Sequence, residues 1–191
     1  MANDQDLLRR IDRLEARAEI GELVTAYAIA CDEHDMPRLT SLFTADAEFA
    51  SPSGLLVGKG RDAIAAMFVK LFDVRGPAFH WTHDRMVAFD DADPDRATGL
   101  VLSHAETTPN NVVSIAAMKY EDVYRREAGR WLFAKRTIHF LYYVPVTEYG
   151  SALNNEHRLA VGAERRKADY PETLAAWKDF DRAHGRSAAK R

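Results

Sequence analysis

The chain has 191 residues, 47% of them apolar and 29% charged, with 26 Lys and Arg against 29 Asp and Glu for a formal net charge of −3. A chain of this length buries roughly 70% of its extended surface on folding, which leaves core enough for a pocket within one domain. The near-balanced charge counts against nucleic acid as the main partner, and charges interrupt every apolar run before the roughly 18 residues that a spanning helix needs, so no membrane partner is expected. The single cysteine, Cys31, has no intrachain partner for a disulfide. The acidic opening Asn3-Asp4-Gln5-Asp6 differs from a basic and then apolar leader, and the expected location is cytoplasmic.

Apolar residues recur at helical spacing from Asp4 to about His34, through Leu7, Leu8, Ile11, Leu14, Ala18, Ile20, Leu23, Val24, Tyr27, Ala28 and Cys31. This predicts one long amphipathic helix, or two with a break near residues 16–21. A short helix follows from Met36 to Phe43, with Pro37 in its first turn where a missing N–H does no harm. Short strand-like pieces at 47–50 and 55–57 flank the turn Pro52-Ser53-Gly54, and 60–74 returns to a helical period. After Gly76-Pro77 the period becomes two. Segments at 78–90, 96–108, 111–127 and 130–144, separated by turn residues, predict an antiparallel meander covered on one face by the preceding helices, an α+β layout. Residues 1–150 are read as this domain and 151–191 as a C-terminal helical extension. The segment 156–191 carries nine Lys and Arg against six Asp and Glu, a basic arm on an acidic body, with Trp177 and Phe180 as candidate anchors over a pocket mouth.

Polar residues on apolar faces mark the candidate site. On the first long strand His83 shares the apolar face with Phe79, Trp81, Arg85, Val87 and Phe89, while His80 points the other way. On the second strand His104 and Glu106 follow Leu100 and Leu102 on one face. On the fourth, Arg136 interrupts a row of Leu132, Ala134, Ile138, Phe140 and Tyr142 and needs an acidic or polar partner or an anionic ligand. Asp32 sits at the C-terminal end of the first helix, where a carboxylate opposes the helix dipole, and Tyr27 lies on the apolar side of that helix. An acid, a histidine, an arginine and a tyrosine thus fall on faces expected to meet between helix and sheet. Each taken alone has a structural explanation: a hydrogen-bonded core histidine, a capping acid, a structural ion pair. No pair of the seven histidines has metal-ligand spacing on a common face with a third ligand, and no metal or organic cofactor is expected.

In order and spacing, the run from Tyr27 to Asp35, Leu42-Phe43-Thr44-Ala45-Asp46-Ala47, Gly58-Lys59-Gly60 and His80-Trp81-Thr82-His83 resemble the SnoaL-like members of the nuclear transport factor 2-like superfamily over about residues 5–145. The resemblance implies a cone-shaped barrel of helices packed on a curved sheet. Within the superfamily the chain is similar to scytalone dehydratase, bile acid 7α-dehydratase and hexachlorocyclohexane dehydrochlorinase, which use an Asp–His dyad without a cofactor. Carried over, the resemblance places Asp32 and His83 as the catalytic dyad. Tyr27, His104, Glu106 and Arg136 are then substrate-binding, with Trp81, Phe140 and Tyr142 as aromatic lining. The expected activity is a cofactor-independent elimination, releasing water, halide or a small aldehyde from a small hydrophobic, aromatic or polycyclic molecule. Two alternatives stay open: a noncatalytic ligand carrier, and a structural subunit resembling the small subunit of ring-hydroxylating dioxygenases. Apolar residues on both faces of the third long strand, Ala116, Met118 and Tyr120 against Ile115, Ala117 and Val123, predict a homodimer or homotrimer through the outer sheet face.

Overall fold

In the computed structural model, residues 4–161 and 164–185 are described. The first helix, α1, runs unbroken over Asp4–Asp32. Its predicted break point is instead a close contact, since a Cβ on Gly21 would lie 2.2 Å from the Arg85 guanidinium. Ile20, Leu23, Val24, Tyr27 and Cys31 form the buried stripe, whereas Leu7, Leu8 and Leu14 stay exposed. His34 turns the chain in the left-handed region (φ 54°), and Asp35 then caps α2 (Met36–Ser41) by accepting from the Arg38 amide at 3.0 Å. Strands β1 (Phe43–Ala50) and β2 (Gly58–Lys59) precede α3 (Arg61–Asp73).

Four long strands follow: β3 (Phe79–Phe89), β4 (Arg96–Thr107), β5 (Ser114–Glu127) and β6 (Arg130–Pro145). They form the expected antiparallel meander, and the β5–β6 turn places Ala128 and Gly129 at positive φ, as a tight hairpin requires. The sheet as a whole is mixed, because β1 pairs parallel with β6. Its order is β2-β1-β6-β5-β4-β3, and it does not close into a barrel, since β2 and β3 remain edges. The curved inner face wraps α1 and α3 around an aromatic core in which Tyr27 meets Phe43, Phe68, Tyr120 and Phe133 edge-on.

Three bulges decide which side chains reach that core. Register slips between Thr82 and Arg85 on β3, where His83 and Asp84 together face Leu102 on β4. On β6, Ala134 and Leu141 each fall outside the pairing with β5. A bulge adds one residue and so exchanges the two faces of the strand beyond it. Inward positions on β3 are therefore His80 and Thr82 and then Val87, with the exposed Arg85 lying against Gly21 of α1. On β6 they are Phe133, then Arg136, Ile138 and Phe140, then Tyr143.

The C-terminal segment is not purely helical. After a short helix α4 (Tyr149–Ala152), strand β7 (Leu159–Val161) pairs parallel with β6 through Tyr143 and antiparallel with β8 (Glu164–Arg166). Leu159 and Ala168 are buried in the same core as Phe43 and Phe68. Buried Arg158 ties the segment down by donating to the carbonyls of Leu141 (2.6 Å) and Tyr170 (3.1 Å) and to Glu172 (2.7 Å). Asp169 exchanges backbone and side-chain bonds of 3.0 Å with Phe140. The last helix, α5 (Ala175–His184), buries no residue, and its exposed Phe180 packs on His184 of the same helix. Trp177 is half-buried whereas Phe180 is exposed, and the basic residues beyond 185 lie outside the described residues.

Candidate active site

Asp32 reaches the sheet from the last position of α1. Its Oδ2 accepts the His80 backbone amide at 2.9 Å, and its Oδ1 lies 2.5 Å from the His80 Nδ1. The carboxylate therefore fixes both the strand and the ring. With Nδ1 committed to Asp32, Nε2 is the imidazole nitrogen left for proton transfer. The ring lines a cavity of about 50 Å³ that includes Tyr27, Leu56, Phe68, Arg75, Thr107, Tyr120, Phe140 and Tyr143. A smaller void on its other side is bounded by Thr82, Ser103 and Arg136. Burial pushes the Tyr27, Tyr120 and Tyr143 hydroxyls above the usual phenol range, so all three stay protonated donors at neutral pH. Tyr143 shares a 2.7 Å hydrogen bond with Thr107.

The expected partner of Asp32 was His83, and the structure replaces it with His80. The regular alternation that aimed His83 inward applies only beyond the bulge, at Val87. Before the bulge the even residues face the cavity. His83 lies on the outer face, with its Nε2 2.6 Å from the Nδ1 of His104. Trp81 is 53% exposed there and donates its indole N–H to Glu106 at 2.9 Å. His83, His104, Glu106 and Trp81 are thus together, but outside the cavity. Tyr142 also points away and packs on Tyr149, because the bulge at Leu141 hands its inward place to Tyr143.

Of the remaining expectations, Tyr27 and Phe140 line the cavity. Arg136 has the acidic partner its burial demands. Its Nε and Nη2 donate to both oxygens of Asp122 at 2.9 and 2.8 Å, and the rings of Tyr27, Tyr120 and Phe133 surround it at 4.0–4.2 Å. Asp122 also accepts from the Tyr124 hydroxyl at 2.9 Å. Sequence reasoning missed Asp122, although it alternates with the inward Tyr120 and Tyr124 on β5. It also missed Arg75. A wider surface depression of about 830 Å³ beside α1, with Glu22, Arg38, Arg85 and Trp131, holds no bonded acid–histidine pair. Among the described residues no three His, Cys, Asp or Glu side chains are grouped to hold a metal. No described helix is long and apolar enough to cross a membrane.

The SnoaL-like domain family matches residues 12–137, which run from within α1 to the middle of β6 and include both Asp32 and His80. The chain belongs to the SnoaL-like family. It is 29% identical over 137 residues to the gamma-hexachlorocyclohexane dehydrochlorinase of Sphingobium indicum, covering 71% of this chain and 87% of that one. A crystal structure of the dehydrochlorinase LinA superposes with a TM-score of 0.67 at 26% identity, over 72% of this chain and 94% of the other. A Novosphingobium aromaticivorans protein provisionally named a scytalone dehydratase shares the fold at 17% identity with a TM-score of 0.68, over 87% of this chain and 99% of its own.

Proposed function

We propose that the protein is a lyase in which His80, oriented by Asp32, removes a proton from a carbon adjacent to the one bearing the leaving group. The observation that carries this reading is the 2.5 Å contact between Asp32 and the His80 Nδ1 beside an apolar cavity. As Nε2 takes the proton, the C–H electron pair forms the new double bond and the leaving group departs with the pair of its own bond. Asp32 stabilises the imidazolium that results, and the protonated Tyr27 and Tyr143 hydroxyls supply donors to developing negative charge. No electron carrier enters this balance. The lining of Leu56, Phe68, Leu71 and Phe140 favours a small hydrophobic molecule, aromatic or alicyclic. Membership of the SnoaL-like family and the similarity to a dehydrochlorinase support elimination over other uses of such a dyad.

The test is turnover of a panel of elimination substrates, with hexachlorocyclohexane assayed for chloride release and β-hydroxy ketones for loss of water. His80→Ala and Asp32→Asn are each expected to slow the reacting compound by about 10²–10⁴-fold, the usual contribution of a positioned general base. His83→Ala should stay within a few-fold of the parent. Full activity in His80→Ala would sink the assignment.

A further inference from the structure

Arg75 follows α3 and is 93% buried, being 7% exposed, in the wall of the cavity that holds His80. Its Nη2 donates to the Cys31 carbonyl at 2.9 Å, and its guanidinium lies 4.8 Å from the centre of the Phe72 ring. Its Nε is buried and has no hydrogen-bond partner. Among the described residues no carboxylate comes within 4.0 Å of it, and the nearby Asp32 is bonded to His80. The contrast with the other buried arginine of the inner face is instructive. Arg136 is neutralised by two bonds to Asp122, whereas Arg75 has an unspent charge and an unsatisfied N–H in the same interior. A buried guanidinium is costly unless an anion pairs with it, and its Nε edge is shaped for one.

We propose that Arg75 is an anion subsite of this cavity, taking a single negative charge beside His80. That charge is either a departing halide or an anionic oxygen of the substrate, a carboxylate or an enolate. The inference rests on the lyase reading for its place in the reaction, but its test uses binding alone. The space of about 50 Å³ suits a halide or a carboxylate head. The site lies at the end of the cavity where α1, α3 and the β4–β5 connection meet, as the bridge between Arg75 and Pro109 shows.

Sodium bromide, sodium acetate and neutral acetamide are titrated at constant ionic strength into the full chain, following amide shifts of the cavity residues by NMR. The expected result is saturable binding of bromide, acetate or both, at least tenfold weaker in Arg75→Met, intermediate in Arg75→Lys, and absent for acetamide. Bromide alone identifies a leaving-group site, and acetate alone a site for an anionic oxygen. Arg75→Met should fold at least as stably as the parent, since it removes an uncompensated buried charge. His83→Ala, on the outer face, should bind the anions unchanged, and because binding is read without turnover, failure of the lyase reading leaves this result standing. Absence of saturable binding in the parent, or equal affinity in Arg75→Met, overturns the proposal.

Discussion

Replacing Asp122 with Ala isolates the energetics of the inner face. In the parent, Arg136 is 1% exposed and both carboxylate oxygens of Asp122 accept from it, with a third bond arriving from Tyr124. The variant strands a guanidinium among three aromatic rings, with no carboxylate to neutralise it and no room for bulk water. Removing one partner of such a pair costs about 3–5 kcal/mol. For a domain of this size that lowers the melting temperature by roughly 6–20 °C. Urea unfolding followed by circular dichroism measures it as a shift in midpoint at unchanged slope. The double variant Asp122→Leu with Arg136→Met removes both charges and should recover most of the loss. A single variant costing less than about 1 kcal/mol, or a double variant no better than the single, would refute the claim that the pair is a desolvated, mutually dependent unit.

Other expectations follow from burial and exposure. Burial pushes the Cys31 thiol up to about 12, so it should resist thiol reagents at pH 8 in the native chain and react only on unfolding; rapid native labelling by Ellman's reagent would contradict this. Leu159→Ala should cost about 2–5 kcal/mol because the side chain is fully buried, whereas truncation after 174 should cost little because α5 buries no residue; equal losses from both in urea unfolding would show that the tail is assigned wrongly. The outer strip of Phe79, Trp81, Met86 and Leu102 is expected to join copies into a dimer or trimer, and light scattering should show Trp81→Glu shifting the assembly toward monomer; a parent chain that is monomeric at micromolar concentration would count against it.

Much of the architecture follows from periodicity, and the site was harder to read for a definite reason. The helical stripe through Ile20, Val24, Tyr27 and Cys31 and the period-two segments after Gly76-Pro77 survive in α1 and β3–β6, because both patterns report which residues leave water. The placement of Asp32 at the helix end, against the dipole, also carried through: its carboxylate is bonded to a histidine of β3. Choosing between His80 and His83 required knowing that β3 slips register between Thr82 and Arg85. No local residue pattern announces that slip, and the apolar Phe79 and Trp81 on the outer face pointed the wrong way. The bulge at Leu141 likewise exchanged Tyr142 for Tyr143. Arg75 was missed because burial of a lone arginine in a connection depends on its contact with Cys31, which is distant in sequence. The strands of the C-terminal segment escaped because three-residue pairings at β7 and β8 carry too little pattern to register.

The dyad itself is open to a measurement that needs no substrate. Long-range proton–nitrogen NMR of the histidine side chains, recorded for the parent and for Asp32→Asn, reports the tautomer of each ring and the proton shared with a carboxylate. The account predicts that His80 is protonated at Nδ1 with a strongly deshielded proton that moves upfield in Asp32→Asn, while His83 and His104 respond to each other and not to Asp32. A neutral His80 protonated at Nε2, or an Asp32-dependent proton on His83 in its place, would contradict it.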